Sequence, residues 1–402
     1  MCVKVIHIYL VIISFFLLSV CMANDENFQQ RDYTFVVAPS YEMEIVSHNS
    51  ESLNRLFQDT YTKDIGPLIG NNTARYWLGE SWAVFWTYMY IIWPHESGHW
   101  IRGKQGAGDF IFHNYALPFP YTTVDMAPEA TLEDEILISI GGFEINSLMA
   151  RQAEVAFYEK RYSYSDTMIN SLVHKLFFPL YSFVVFPADP EKADTWVNTA
   201  GDPVHFVLPT YERFTGRPAV KSDGSVDDTL IGFFREATYA SLLWNMLDPF
   251  LYQSAYAFTD KTKTKPFSAR PWLFGDYTLG WIYGTLFNPS PLGYELYFNN
   301  YLYLDDRLYV LTLKYGRPFK NNAVGLYVPR LYQKNKVSVN VDIEVWDQDI
   351  YGIGGGVGST LRYRYSNDLT LLFKAELKDR GYQLGKRIKQ WGAAFVGLSY
   401  HL

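Results

Sequence analysis

The chain has 402 residues, a formal charge of −7 and an unusual aromatic share of 18%, with 32 tyrosines. An acidic balance without a long Lys/Arg run argues against nucleic acid as a partner. Both cysteines, Cys2 and Cys21, stand near the start, so disulfides are excluded as staples and stability must come from burial.

In chain order, residues 1–23 come first: Lys4 gives a short positive region, an almost unbroken apolar run extends from Val5 to Val20, and Cys21-Met22-Ala23 form a small-residue exit. This pattern predicts a secretory signal cleaved near Ala23, because the run is shorter than the roughly 20 residues that cross a bilayer. Leu18-Ser19-Val20-Cys21 resembles a bacterial lipobox, with Val20 where a small residue is usual, which would imply a lipid on Cys21. An N-terminal segment, 24–71, follows.

Residues 72–266 are expected to form a helical domain. The stretches 74–93, 131–161, 166–186 and 230–259 are apolar-rich with few breakers, and 187–228 is expected to be a loop-rich insertion because of its Pro, Gly and Asp turn signals. Glu80, His174, Lys175, Arg235 and Glu236 inside the apolar runs, and a mean hydropathy of −0.11, argue against transmembrane helices.

Within this domain lies His95-Glu96-Ser97-Gly98-His99, an HExxH motif. Residues four apart share a helix face, so His95 and His99 can offer two imidazoles to one Zn2+, with Glu96 beside them as general base. Pro94 suits the first turn of that helix, and Gly103 is placed to stop it. A catalytic zinc needs a third protein ligand. The motif resembles that of gluzincin peptidases, whose third ligand is a Glu on a following helix, and Glu144 in Gly141-Gly142-Phe143-Glu144 is the expected counterpart. The two glycines would let the helices approach closely, and a carboxylate in an apolar run calls for a cation. The run from Gly141 to Ala150 also resembles the Gly-Pro-x-x-Asn segment of site-2-type metallopeptidases, with Gly142 where that family has Pro. That family's third ligand is a later Asp, which would make Asp202 the ligand; His205 and His113 are the remaining candidates.

The character changes in 267–402, expected as an antiparallel β domain of about seven to eight strands. Val337, Val339, Val341, Ile343 and Val345 alternate with Ser338, Asn340, Asp342 and Glu344, the period of a strand with one polar side. Leu371, Phe373 and Leu377 alternate likewise with Thr370, Lys374 and Glu376. An eighth strand is expected from 270–279 or 33–37. The ending Gly397-Leu-Ser-Tyr400-His-Leu402 resembles the C-terminal signal of outer-membrane barrels, with Leu402 in place of the usual Phe. That resemblance implies a barrel in lipid; a soluble sheet shows the same alternation.

The expectation is an α+β protein, an exported zinc-dependent hydrolase, in particular a metallopeptidase with a protein or peptide substrate. It would act at the outer membrane or in the periplasm of a Gram-negative-type bacterium. The alternatives are a non-enzymatic envelope assembly or binding protein, and a zinc-dependent lipid or cell-wall deacylase.

Overall fold

The computed structural model describes residues 32–37, 42–106, 112–113, 123–124, 128, 130–163, 165–197, 201–258, 267–268, 271–274, 279–304, 307–389 and 391–401. The expected signal segment, with Cys2 and Cys21, lies outside them. The described residues hold eight α-helices: α1 (Met43–Asp59), α2 (Asn72–Gln105), α3 (Leu132–Lys160), α4 (Ser165–Val184), α5 (Ala193–Val197), α6 (Asp202–Thr215), α7 (Asp228–Met246) and α8 (Pro249–Phe258). The main sheet has ten strands: β1 (Asp32–Val37), β2 (Trp272–Phe274), β3 (Leu279–Ser290), β4 (Gly293–Leu304), β5 (Arg307–Pro318), β6 (Asn321–Lys334), β7 (Val337–Gln348), β8 (Gly352–Arg364), β9 (Leu369–Lys378) and β10 (Trp391–His401).

Seven strands run from Gly293 to His401, as the alternation predicts, and both candidate extra segments and Leu279–Ser290 join them, so the sheet has ten strands rather than the expected seven to eight. Neighbouring strands from β2 to β10 pair antiparallel in chain order, and β1 adds to β10 with Tyr33 opposite Tyr400. The sheet is open among the described residues, with β1 and β2 as its edges. Helices link those edges. α1 packs on β1 and on α2, α2 on α4, α4 on α7 and α8, and both of these on β3.

Local chemistry explains the helix ends. Asn71 caps α2 by accepting from the Ala74 N–H at 3.0 Å, and Gly106 closes it. Thr131 and Asp134 form a reciprocal capping box at the start of α3. α2 is one helix of 34 residues that runs straight past both expected boundaries. Pro94 lies inside it, and Gly103 is buried within it and does not end it. Packing along α3 outweighs the one backbone hydrogen bond that a proline removes.

α3 is buried along nearly all of Ile136 to Ala150 and runs beneath the sheet. Its first turn meets the β7–β8 turn, where Glu133 accepts from Tyr351 at 2.8 Å. Its last turn meets the far ends of β4 and β6, through Tyr158–Tyr303 and Glu159–Arg330 contacts. Core clusters join Ile140, Phe143 and Phe234 on helices to Phe287 and Tyr294 on strands. Helices and sheet therefore share one interior.

Part of that interior is ionic. A cavity of about 280 Å³ separates α1 and α3 from the sheet, lined by Glu44, Arg151, Asp342, Arg362 and Lys374 among others. Lys374 pairs with Glu44 at 2.6 Å and with Glu376 at 2.5 Å, so these buried charges are compensated.

Candidate metal centre

The centre begins where α2 crosses α3. A Cβ on Gly141 would lie 2.5 Å from the Gly98 carbonyl oxygen, and one on Gly98 would be closer still to Gly141. Only glycine permits backbones this near. One residue on, Gly142 leaves room for an imidazole: a Cβ there would stand 2.5 Å from His95 Nε2. The expectation that Gly141 and Gly142 allow close approach is met, and the space at Gly142 is taken by the ring of His95.

His95 and His99 are both buried, with ring centroids 4.8 Å apart. Asp202, in the first turn of α6, brings its carboxylate between them. Oδ2 lies 2.8 Å from His95 Nε2 and 3.3 Å from His99 Nε2. One ligand atom from each of the three residues lies within 4.8 Å of the others. Burial opposes the charge on Asp202, but the imidazoles of His99 and His95 outweigh it and hold the carboxyl well below its usual range. Asp202 therefore stays anionic at neutral pH.

The partners of the outer ring nitrogens decide what the inner ones can do. His99 Nδ1 is 2.6 Å from the Ile138 carbonyl oxygen, to which it donates, and this fixes Nε2 as the lone-pair nitrogen when the ring is neutral. That Nε2 is buried with Asp202 Oδ2 as its polar neighbour at 3.3 Å; burial lowers the pKa of the imidazole, but the carboxylate outweighs it and raises it to about 9. His95 Nδ1 is 3.1 Å from the Asn146 amide, whose other end is 3.2 Å from His174 Nδ1. Either amide orientation satisfies both rings; with Oδ1 toward His95, Nδ1 carries the proton and Nε2 is free to ligate. Two buried imidazoles, one held by a carbonyl and one by an amide, with both Nε2 atoms turned toward a carboxylate kept ionised, together fit a divalent cation that takes N and O ligands.

Glu96 is half-buried and follows His95 directly on α2. Tyr181 on α4 has its hydroxyl beside Gly201, next to Asp202, and its ring packs on Phe143 and Phe177. Both phenylalanines stand edge-on to His95, with centroids 5.1 and 5.0 Å away.

Glu144 is not part of this group. It is buried, and its carboxylate is taken by Arg102, which donates through Nε at 2.7 Å and also through Nη2. The Gly385 N–H donates to the same carboxylate at 2.8 Å. The cation that this carboxylate needs is therefore a guanidinium, and the pair ties α2 and α3 to the β9–β10 loop. Among the alternatives, Asp202 joins the histidines and His205 is exposed on the outer side of α6. His113 lies in a two-residue strand paired with Thr123–Val124, and its side chain is outside the described residues.

α6 itself replaces part of the expected loop in 187–228. The signals for it are present: Pro203 in the first turn, Val204, Val207 and Tyr211 on one buried face, and Gly216 at φ 66° closing the helix. No protein-family model, no curated protein and no solved structure matches the chain.

Proposed function

We propose that the protein is a zinc-dependent hydrolase, in particular a metallopeptidase, with His95, His99 and Asp202 as ligands and Glu96 as general base. The observation that carries this reading is the convergence of three ligand atoms within 4.8 Å, with the Nε2 atoms of buried His95 and His99 both turned to the Asp202 carboxylate. Zn2+ held there supplies a Lewis acid for a scissile carbonyl and lowers the pKa of water toward about 7. Glu96, adjacent to the ligands but not one of them, takes the proton from the attacking water and hands it to the leaving amine. Tyr181, whose hydroxyl lies beside Gly201 next to Asp202, is suited to offer a phenolic O–H to the oxyanion.

Several groups bordering the site are apolar. Trp93 lies two residues before the motif and is partly exposed, and Phe143 and Phe177 stand against His95. This favours substrates that present apolar side chains. The leader expected at 1–23 supports a place of action at the outer membrane or in the periplasm. The test is a peptide and lipid-ester substrate screen on zinc-loaded protein beside Glu96→Gln. Turnover of a peptide, lost in the variant with zinc retained, supports the reading; turnover unchanged in the variant contradicts it.

A further inference from the structure

The sheet is inverted. In a water-soluble antiparallel sheet the apolar face packs on the core and the polar face meets solvent. Here Lys314, Asn340, Glu344, Glu376 and Ser399 are buried, while the alternate apolar side chains are exposed. The exposed residues form rows in register across strands. Tyr363, Leu371, Leu398 and Phe35 make one row, and Leu361, Phe373, Val396 and Val37 the next, each member 37% to 68% exposed. Leu313, Val324 and Val345 form a third row over β5 to β7. Charged turns border this band: Asn335-Lys336 and Asn367-Asp368 at one end, Lys320, Asp347 and Asp349 at the other.

The helices that join the two sheet edges continue the same surface. On α7 the exposed stripe is Tyr239, Leu243 and Met246, continued by Leu247 just after the helix, and the exposed charges Asp228 and Arg235 lie before it, toward the start. On α4 it is Leu180, Phe183 and Val184, and the Phe183 and Tyr239 rings touch across the two helices at 6.0 Å. Between Trp77 and Trp93 every described exposed residue of α2 is uncharged, including Leu78, Val84 and Phe85. No described helix is long and apolar enough to cross a membrane by itself.

We infer that the protein sits in a lipid bilayer as a composite wall, with the strand arc from β5 through β10 to β1 and the outer faces of α2, α4 and α7 all against acyl chains. Two features favour lipid over a protein partner. The apolar band covers the sheet face away from α1 and α3 and is bordered by charged turns at both ends, the apolar slab between polar zones that a bilayer matches. Strands of 10 to 14 residues along β3 to β10 also match the length a tilted strand needs to cross hydrocarbon. The helices need not span alone, because their polar backbone and buried charges are satisfied inside the wall. This inference does not depend on the metal centre.

The test places an environment-sensitive fluorophore on single cysteines in the full-length protein with Cys2 and Cys21 changed to Ser. The positions are Phe373→Cys on the sheet, Leu243→Cys on α7, and Gln152→Cys beside the ionic cavity. In phosphatidylcholine vesicles the first two labels should be quenched several-fold more by spin-labelled acyl chains than by a water-soluble quencher, and the Gln152 label should not. Lipid quenching at Phe373 with aqueous quenching at Leu243 would overturn the composite wall in favour of a strand-only membrane surface. Aqueous quenching at both, or shielding that appears without lipid and grows with protein concentration, would overturn the lipid assignment, the latter in favour of a second copy of the chain.

Discussion

Asp202 Oδ2 and His95 Nε2 meet at 2.8 Å across 107 positions of chain, and that contact defines the centre more sharply than the HExxH spacing alone. It joins a helix that the turn signals concealed to the one the motif announced. The first prediction follows from it. Asp202→Asn should weaken zinc affinity by about 10-fold or more, with the fold intact, because a charged ligand is replaced by a neutral one. Isothermal titration with Zn2+ and far-UV circular dichroism check both parts.

Glu144→Ala should behave in the opposite way. Arg102 would be left buried without its carboxylate, at a cost of about 3 to 5 kcal/mol. Thermal unfolding should show that loss, while whatever protein remains folded keeps one equivalent of zinc.

Asn146→Ala removes the group that orients His95 without touching a ligand atom. Zinc affinity should fall by about 10-fold to 100-fold, the usual range for an outer-shell partner. Asn146→Asp, which can accept from His95 Nδ1, should recover part of it; equal loss in both variants would argue for a packing role only.

Gly142→Ala puts a methyl where the His95 ring lies, so the ring must move. Zinc binding should drop sharply in this variant, whereas Gly232→Ala, at an open helical position, should leave it unchanged. Metal content of the purified variants decides this.

The acid limb of metal-free stability should carry a signature of Asp202. Its folded carboxyl is held below the unfolded value, so it contributes stability above pH ~3.8 that is lost as the pH falls further. Denaturant midpoints of wild type and Asp202→Asn should therefore converge as the pH is lowered below about 4.

The strands were legible because one residue in two is apolar over most of their length, and period two survives whichever face is buried. What the period does not reveal is which face that is; Val345 is exposed and Asn340 buried, the reverse of a soluble sheet. The two histidines were legible because their geometry is local to one helix. Asp202 was readable only as one alternative among several, since the turn signals at 187–190, 215–218 and 221–225 on either side hid the helix that presents it. Glu144 showed the need for a cation, but its partner lies 42 residues away and nothing in its neighbourhood distinguishes a guanidinium from a metal. Pro94 misplaced a boundary, because tertiary packing overrides one lost backbone hydrogen bond.

The central claim is the three-residue ligand set, and X-ray absorption at the zinc edge on protein loaded with one equivalent tests it most directly. The account predicts two imidazole nitrogens and a carboxylate oxygen at about 2.0 to 2.2 Å, lost in His95→Ala and altered in Asp202→Asn but retained in Glu96→Gln. A spectrum unchanged by Asp202→Asn, or no zinc bound to the wild type, would contradict it.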